Sequence, residues 1–286
     1  MNVNSFKIHS MMCFVKKENY NENHPIFVTG CWDIKRDEMD NTNSNHDWKR
    51  SFSVYTNALD SLLGTGIDII VFGENNIKDI VQKHKNAKFI NYPLSNFKKL
   101  PFFEKLNIIR NDPSWYNNAE YLSSSPQGKL EFFNPIIMSK IYFVKQVHEL
   151  FKAKSVYWVD AGITRTHKTE LITNIHLSLS KYNKFLFMRF PYTSNQEIHG
   201  FLRSGMNKYC NVNMVNLISR AQFFGGSMEH INEIVNHYNS LITDTLNEGY
   251  LGTEESIFTI LYYQHPHLFD SVIINQSNGI DTLLSL

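Results

Sequence analysis

The chain has 286 residues, of which 42% are hydrophobic and 14% aromatic, so it has ample material for a packed core and disorder is not the default reading. Its 28 lysines and arginines against 27 aspartates and glutamates leave a net charge of +1, which provides no global field for binding nucleic acid. Cys13, Cys31 and Cys210 are too few and too scattered for a zinc ribbon and odd in number for a disulfide framework, so a reducing, cytoplasmic compartment is expected.

In chain order, the apolar run Met11 to Val15 is too short for a signal-peptide core, and no stretch reaches the roughly 18 apolar residues of a membrane span. Ile26 to Trp32 reads as a buried strand bounded by Pro25 and a polar stretch that includes an asparagine-rich loop, Asn41 to Asn45. Phe52, Tyr55, Leu59 and Leu62 fall on one face of a helix that Gly64 and Gly66 stop. A strand at Ile67 to Gly73, a short helix at Ile77 to His84 and a strand at Lys88 to Asn91 complete a β-α-β-α-β order.

Four prolines between Tyr92 and Phe133 mark an insertion with short helices. Asn134 as N-cap and Pro135 at the first helical position open a helix carrying Ile137, Ile141, Val144 and Phe151 on one side, and the strand Ser155 to Asp160 follows. Phe185 to Phe190, Val212 to Ile218 and Ala221 to Phe224 read as three further strands, then Glu229 to Leu246 and Glu254 to Gln264 as helices ended by Pro266. The pattern predicts an α/β fold in one domain over residues 1–286, with a mostly parallel central sheet flanked by helices. Ligands of such sheets bind at the carboxyl ends of strands.

Asp160 lies at such an end, before Ala161 and Gly162, where backbone can approach a ligand closely. A carboxylate there suits Mg2+ or Mn2+ bridging a diphosphate, and a plain turn or cap explains it about as well. Thr253 before Glu254 and Glu255 reads as an N-cap with two first-turn acids; the same acids suit a general base that takes a proton from an attacking hydroxyl. No Walker loop, dinucleotide-binding glycine motif or nucleophile elbow is present, which disfavours ATPase, dehydrogenase and hydrolase chemistry.

Four segments, Phe27-Val28-Thr29-Gly30-Cys31-Trp32-Asp33-Ile34, Met138-Ser139-Lys140-Ile141, Tyr157-Trp158-Val159-Asp160-Ala161-Gly162 and Gly252-Thr253-Glu254-Glu255, resemble the HtrL/YibB-like proteins. That family occurs among bacterial envelope-polysaccharide genes and is related to GT-A glycosyltransferases. The resemblance implies a GT-A (Rossmann-like, nucleotide-binding) fold, with residues 24–162 as the half that binds a nucleotide sugar and 163–286 as the half that binds the acceptor. It implies transfer of a sugar, from a UDP-sugar by preference, to a hydroxyl of a glycan in polysaccharide or glycoconjugate synthesis. Peripheral association with a membrane-linked acceptor would fit.

By this resemblance the Trp-Val-Asp-Ala-Gly element is a shortened form of the two-acid motif that binds metal and donor, with Gly162 in the second acidic position. Thr29, Gly30, Trp32 and Asp33 would face base and ribose, and Arg36 and Lys140 would neutralise phosphate, against plainer roles as a loop charge and a helix polar face. Gly225 and Gly226 would lie beneath the sugar or simply form a tight turn. His265 and His267 would add metal ligands beside Asp160 or sit as a surface pair at a helix end. A non-catalytic glycan-binding or scaffold protein of the same fold is the alternative, and a sugar-phosphate nucleotidyltransferase ranks behind it because no glycine- and lysine-rich loop follows the first strand.

Overall fold

The computed structural model describes residues 24–39, 48–274 and 279–284. The Met11 to Val15 run, Cys13 and the Asn41 to Asn45 loop lie outside the described residues. The strands are β1 (Ile26–Cys31), β2 (Ile69–Gly73), β3 (Ala87–Asn91), β4 (Ser155–Val159), β5 (Phe185–Pro191), β6 (Glu197–Ile198), β7 (Phe201–Leu202), β8 (Leu217–Ser227) and β9 (Phe269–Ile273). The helices are α1 (Phe52–Leu63), α2 (Lys78–Gln82), α3 (Phe103–Arg110), α4 (Pro113–Tyr116), α5 (Pro126–Lys129), α6 (Phe133–Met138), α7 (Lys140–Phe151), α8 (Thr169–Ser178), α9 (Arg203–Cys210), α10 (Ile231–Asn247) and α11 (Glu254–Gln264).

Seven strands form one sheet in the order β3-β2-β1-β4-β8-β5-β9, and β6 pairs with β7 in a small hairpin. Every pairing in the large sheet is parallel except those of β8, which runs antiparallel to both β4 and β5. The architecture is the mostly parallel α/β sheet expected, and it draws strands from both halves of the chain. β2 is buried at all five positions and β1 at all but Gly30, as central strands covered on both faces must be. Helix α7 packs on β4 and α11 on β8.

Aromatic side chains fill the layer between α7 and the sheet. Trp32 and Trp158 both stack on Phe143, at centroid separations of 5.7 and 6.1 Å. The insertion is anchored by the buried Trp115, whose Nε1 donates to the Leu251 carbonyl at 3.0 Å.

Three sequence expectations change. Asn134 is not a cap but a buried residue inside α6; that helix ends at Ser139, whose hydroxyl turns back on the Pro135 carbonyl at 2.6 Å, and α7 starts afresh at Lys140. The strand expected at 212–218 starts only at Leu217 and runs on into the one expected at 221–224 as a single strand, β8, because Ser219 and Arg220 continue the pairing with β5 instead of breaking it. The elements α8, α9 and β9 were not anticipated. Among the described residues no helix is long and apolar enough to cross a membrane.

Candidate functional site

A cleft of about 750 Å³ opens at the carboxyl ends of β1 and β4. Parallel strands put both ends on one edge, so the residues leaving β1 and those leaving β4 share one wall. Gly30, Trp32 and Arg36 come from the first exit, Asp160, Ala161 and Gly162 from the second. The antiparallel β8 enters from the same edge and adds Arg220 and Gln222, while the amino ends of α7 and α11 deliver Lys140, Glu254 and Glu255.

Lys140 is the centre of this arrangement. Its ammonium lies 2.8 Å from Asp160 Oδ1 and 2.7 Å from Glu254 Oε1, and it also donates to the Ala221 carbonyl at 3.2 Å. Burial alone would lower its basicity, but the two carboxylates hold it above the ordinary lysine value, so it carries its charge. Trp158 Nε1 donates to the same Asp160 oxygen at 2.7 Å, which fixes the carboxylate's orientation.

The neighbouring acids differ although they are adjacent in sequence. Burial pushes the Glu254 carboxyl up to about 7 against the pull of Lys140. Glu255 is buried too, yet falls to about 2, because His199 and Arg220 stabilise its charge and the Ala221 amide donates to it. His199 Nδ1 stands 2.6 Å from Glu255 Oε2 and Arg220 Nη1 3.4 Å from Oε1. His199 and Gly200 occupy the tight turn between β6 and β7, both with positive φ, as a two-residue hairpin turn requires. Glu197, also buried, accepts from Tyr121 and Tyr192 hydroxyls at 3.1 Å each, and both tyrosines line the cleft.

Some expected site residues lie elsewhere. Thr29 is fully buried within β1. Asp33 faces a smaller hollow, tied to Lys35 at 3.0 Å, because successive residues of an extended segment point to opposite sides. Trp32 and Gly30 reach the cleft but are constrained by packing: Trp32 Nε1 donates to the Tyr92 carbonyl, and a Cβ on Gly30 would meet the Trp32 ring at 2.3 Å.

Gly225 and Gly226 do not lie beneath the cleft. They pair with Tyr157 and Val156 near the start of β4, at the opposite edge of the sheet, because β8 is antiparallel. A Cβ on Gly225 would come 2.1 Å from the Val156 carbonyl oxygen, so close strand packing accounts for the glycine. His265 and His267 lie past the far end of α11, roughly 16 Å along its axis from Glu254, where His265 stacks on His237 at 3.8 Å.

These positions also test the expected divalent cation. Asp160 and Glu254 converge, but on an ammonium, and the histidines are out of reach. Among the described residues no group of three or more His, Cys, Asp or Glu side chains is arranged to hold a metal. The two converging carboxylates are held by the Lys140 ammonium and are not joined by a third such donor among the described residues.

Arg50, Arg165, His199, Arg220 and Gln222 also line the cleft and were not singled out from the sequence. They come from loops, turns and a strand interior, where a polar residue carries no periodic signal. Three buried polar atoms in the lining, Gln127 Oε1, Gln222 Nε2 and Thr253 Oγ1, have no hydrogen-bond partner among the described residues.

Fold and cleft together define an α/β protein with a charged, ligand-sized site at the carboxyl edge of its parallel strands. The chain belongs to the HtrL_YibB family, described as a bacterial protein of unknown function, whose model matches residues 24–278. It is similar to protein HtrL of Escherichia coli strain K12, at 24% identity over 273 residues and 89% of each chain.

Among solved structures it is similar to mouse xyloside xylosyltransferase 1 in its apo form, with a TM-score of 0.43 and 9% identity over 87% of this chain and 84% of that one. It is also similar to 4-diphosphocytidyl-2C-methyl-D-erythritol synthase of Anaerococcus prevotii, with a TM-score of 0.40 and 13% identity over 92% and 96%.

Proposed function

We propose that the cleft binds a nucleoside-diphosphate sugar and transfers the sugar to a hydroxyl of a glycan acceptor. The observation that carries this reading is the joint lining: cations from Arg36, Arg50, Lys140, Arg165 and Arg220 stand beside buried polar atoms of Gln127, Gln222 and Thr253 that lack partners among the described residues. A diphosphate answers the first set and sugar hydroxyls the second, since buried polar groups ordinarily find partners.

In the proposed reaction the acceptor oxygen bonds to the anomeric carbon as that carbon's bond to the phosphate oxygen breaks. The bonding pair leaves with the diphosphate, whose growing charge the cations stabilise in place. The acceptor proton passes to Glu254, whose carboxyl, raised to about 7, is matched to accepting a proton near neutral pH. Glu255, held ionised, keeps His199 and Arg220 in position on the acceptor side.

The test is calorimetry of purified protein with UDP, GDP and CMP, followed by mass spectrometry of incubations with the corresponding sugar nucleotides and a panel of glycans. Binding of one nucleotide with formation of a glycosylated product supports the reading. Neither binding nor hydrolysis with any of them removes it.

A further inference from the structure

Beside Gly162 the cleft wall carries a group of arginines, Arg36, Arg50 and Arg165. Arg36 lies just past β1, and its carbonyl accepts from the Arg50 amide at 3.3 Å, which brings the two residues together. Arg36 Nη1 donates to the Tyr55 hydroxyl at 2.6 Å and its Nε to the Trp48 carbonyl at 2.8 Å. The Arg165 guanidinium sits over the other part of that tyrosine, 5.5 Å from the ring centroid. Arg36 and Arg165 thus flank one phenol, and Arg50 stands beside Arg36.

Like charges so placed repel, and burial adds to the cost; burial first, then Arg50 and Arg165, pull Arg36 below the ordinary arginine value. Among the described residues none of the three forms a salt bridge with a carboxylate. An arrangement of this kind is stabilised when a polyanion enters it.

Gly162 shows what the arginines displace. A side chain built there would meet Arg165 Cδ at 3.5 Å and Tyr55 Cδ1 at 3.8 Å, so the second position of the two-acid pattern opens onto a cation. At the first position, Asp160 is already paired with the Lys140 ammonium, which bridges it to Glu254 as a divalent ion would bridge two carboxylates.

We propose that this cleft binds a diphosphate directly on Arg36, Arg50 and Arg165 with no divalent cation, the Lys140 ammonium standing where the metal would. The proposal rests on the donor reading above only for the nucleoside; the anion site is tested separately with inorganic pyrophosphate.

The experiment uses the full chain after treatment with EDTA. Pyrophosphate and UDP are titrated calorimetrically in EDTA and again in excess Mn2+, and Mn2+ binding to protein alone is followed by electron paramagnetic resonance. Pyrophosphate is expected to bind in EDTA with an affinity changed less than about threefold by Mn2+, and Arg165→Gln and Arg50→Gln each to weaken it about tenfold, the loss of one charge-assisted contact. Protein alone is expected to leave the Mn2+ signal free.

Binding that requires Mn2+, stoichiometric Mn2+ uptake by the protein alone, unchanged affinity in both arginine variants that keep the wild-type melting temperature, or no pyrophosphate binding in either condition would each overturn the proposal. Pyrophosphate binding without binding of any nucleotide supports the anion site and counts against the donor reading instead.

Discussion

The ammonium of Lys140 lies 2.7 Å from Glu254 Oε1, joining the first residue of α7 to the first residue of α11 inside the cleft wall. The pair is almost entirely buried, and Asp160 completes it from the end of β4. Removing the cation strands two carboxylates at once. Lys140→Met is expected to lower stability by about 3–5 kcal/mol, the cost of breaking a buried ion pair from one side. Adding Glu254→Gln should return part of the loss, which chemical denaturation of the single and double variants measures; strict additivity would mean that the two residues are not coupled.

Glu255 sets a pH dependence of stability. Its carboxyl falls from 4.5 to about 2 on folding, so its ionised form stabilises the protein above pH 4.5 and that contribution is lost as the pH falls from 4.5 toward 2. His199, raised from 6.5, contributes below that value and loses its contribution as pH rises through its folded value. Glu254, raised from 4.5 to about 7, acts in the direction opposite to Glu255, lowering stability as the pH rises between those values. Glu255→Gln is expected to cost about 3 kcal/mol near pH 6, the order found when one partner of a buried ion pair is removed, and to flatten the acid limb of the stability profile. An unaltered acid limb in urea titrations from pH 3 to 8 would contradict this pairing.

Gly225→Ala and Gly162→Ala separate fold from site. The first forces a Cβ to 2.1 Å from the Val156 carbonyl with φ at +140°, while the second meets nothing closer than 3.5 Å. Expression and thermal melting should show Gly225→Ala destabilised by more than about 3 kcal/mol, and Gly162→Ala within about 1 kcal/mol of the parent. Equal melting temperatures would remove the steric account of Gly225.

Cys31 and Cys210 are buried, and burial pushes both thiols up to about 12. The thiolate is the reactive form, so both should resist alkylation at pH 8 in the native state and react in denaturant. Peptide mass spectrometry after iodoacetamide treatment checks each site separately; rapid native labelling at Cys31 would show that the strand end opens.

Asp160→Asn keeps the size of the side chain and can still accept from Trp158, but removes one of the two charges that hold Lys140. On the proposed reaction, product formation is expected to fall about a hundredfold while the melting temperature changes by a few degrees at most. Full activity in a folded variant would mean that the Asp160 charge has no part in turnover.

Much of this was legible in the sequence because its causes are local. A β-branched run ending in Asp160 makes a buried strand with a carboxylate at its tip, and Thr253 before two acids starts a helix wherever it packs. These signals placed β1 to β4, α1 and α11 within a few residues, and the four resembling segments pointed to the family. Arg165 and His199 gave no such signal, since one ends a single 3-10 turn and the other sits in a two-residue turn, and neither position repeats with a helical or strand period.

The sequence by itself determined which strand and helix ends bear charge and that a mostly parallel sheet would gather several of them at one edge. The direction of β8 was decided only by tertiary structure, and with it the position of Gly225 and Gly226 at the far edge and of Arg220 in the cleft. Tertiary structure also decided what Asp160 meets. Convergence of α7, α11 and β4 buries Lys140 against Glu254, and the charge that neutralises two carboxylates there comes from Lys140, a partner that no local pattern in the chain could specify.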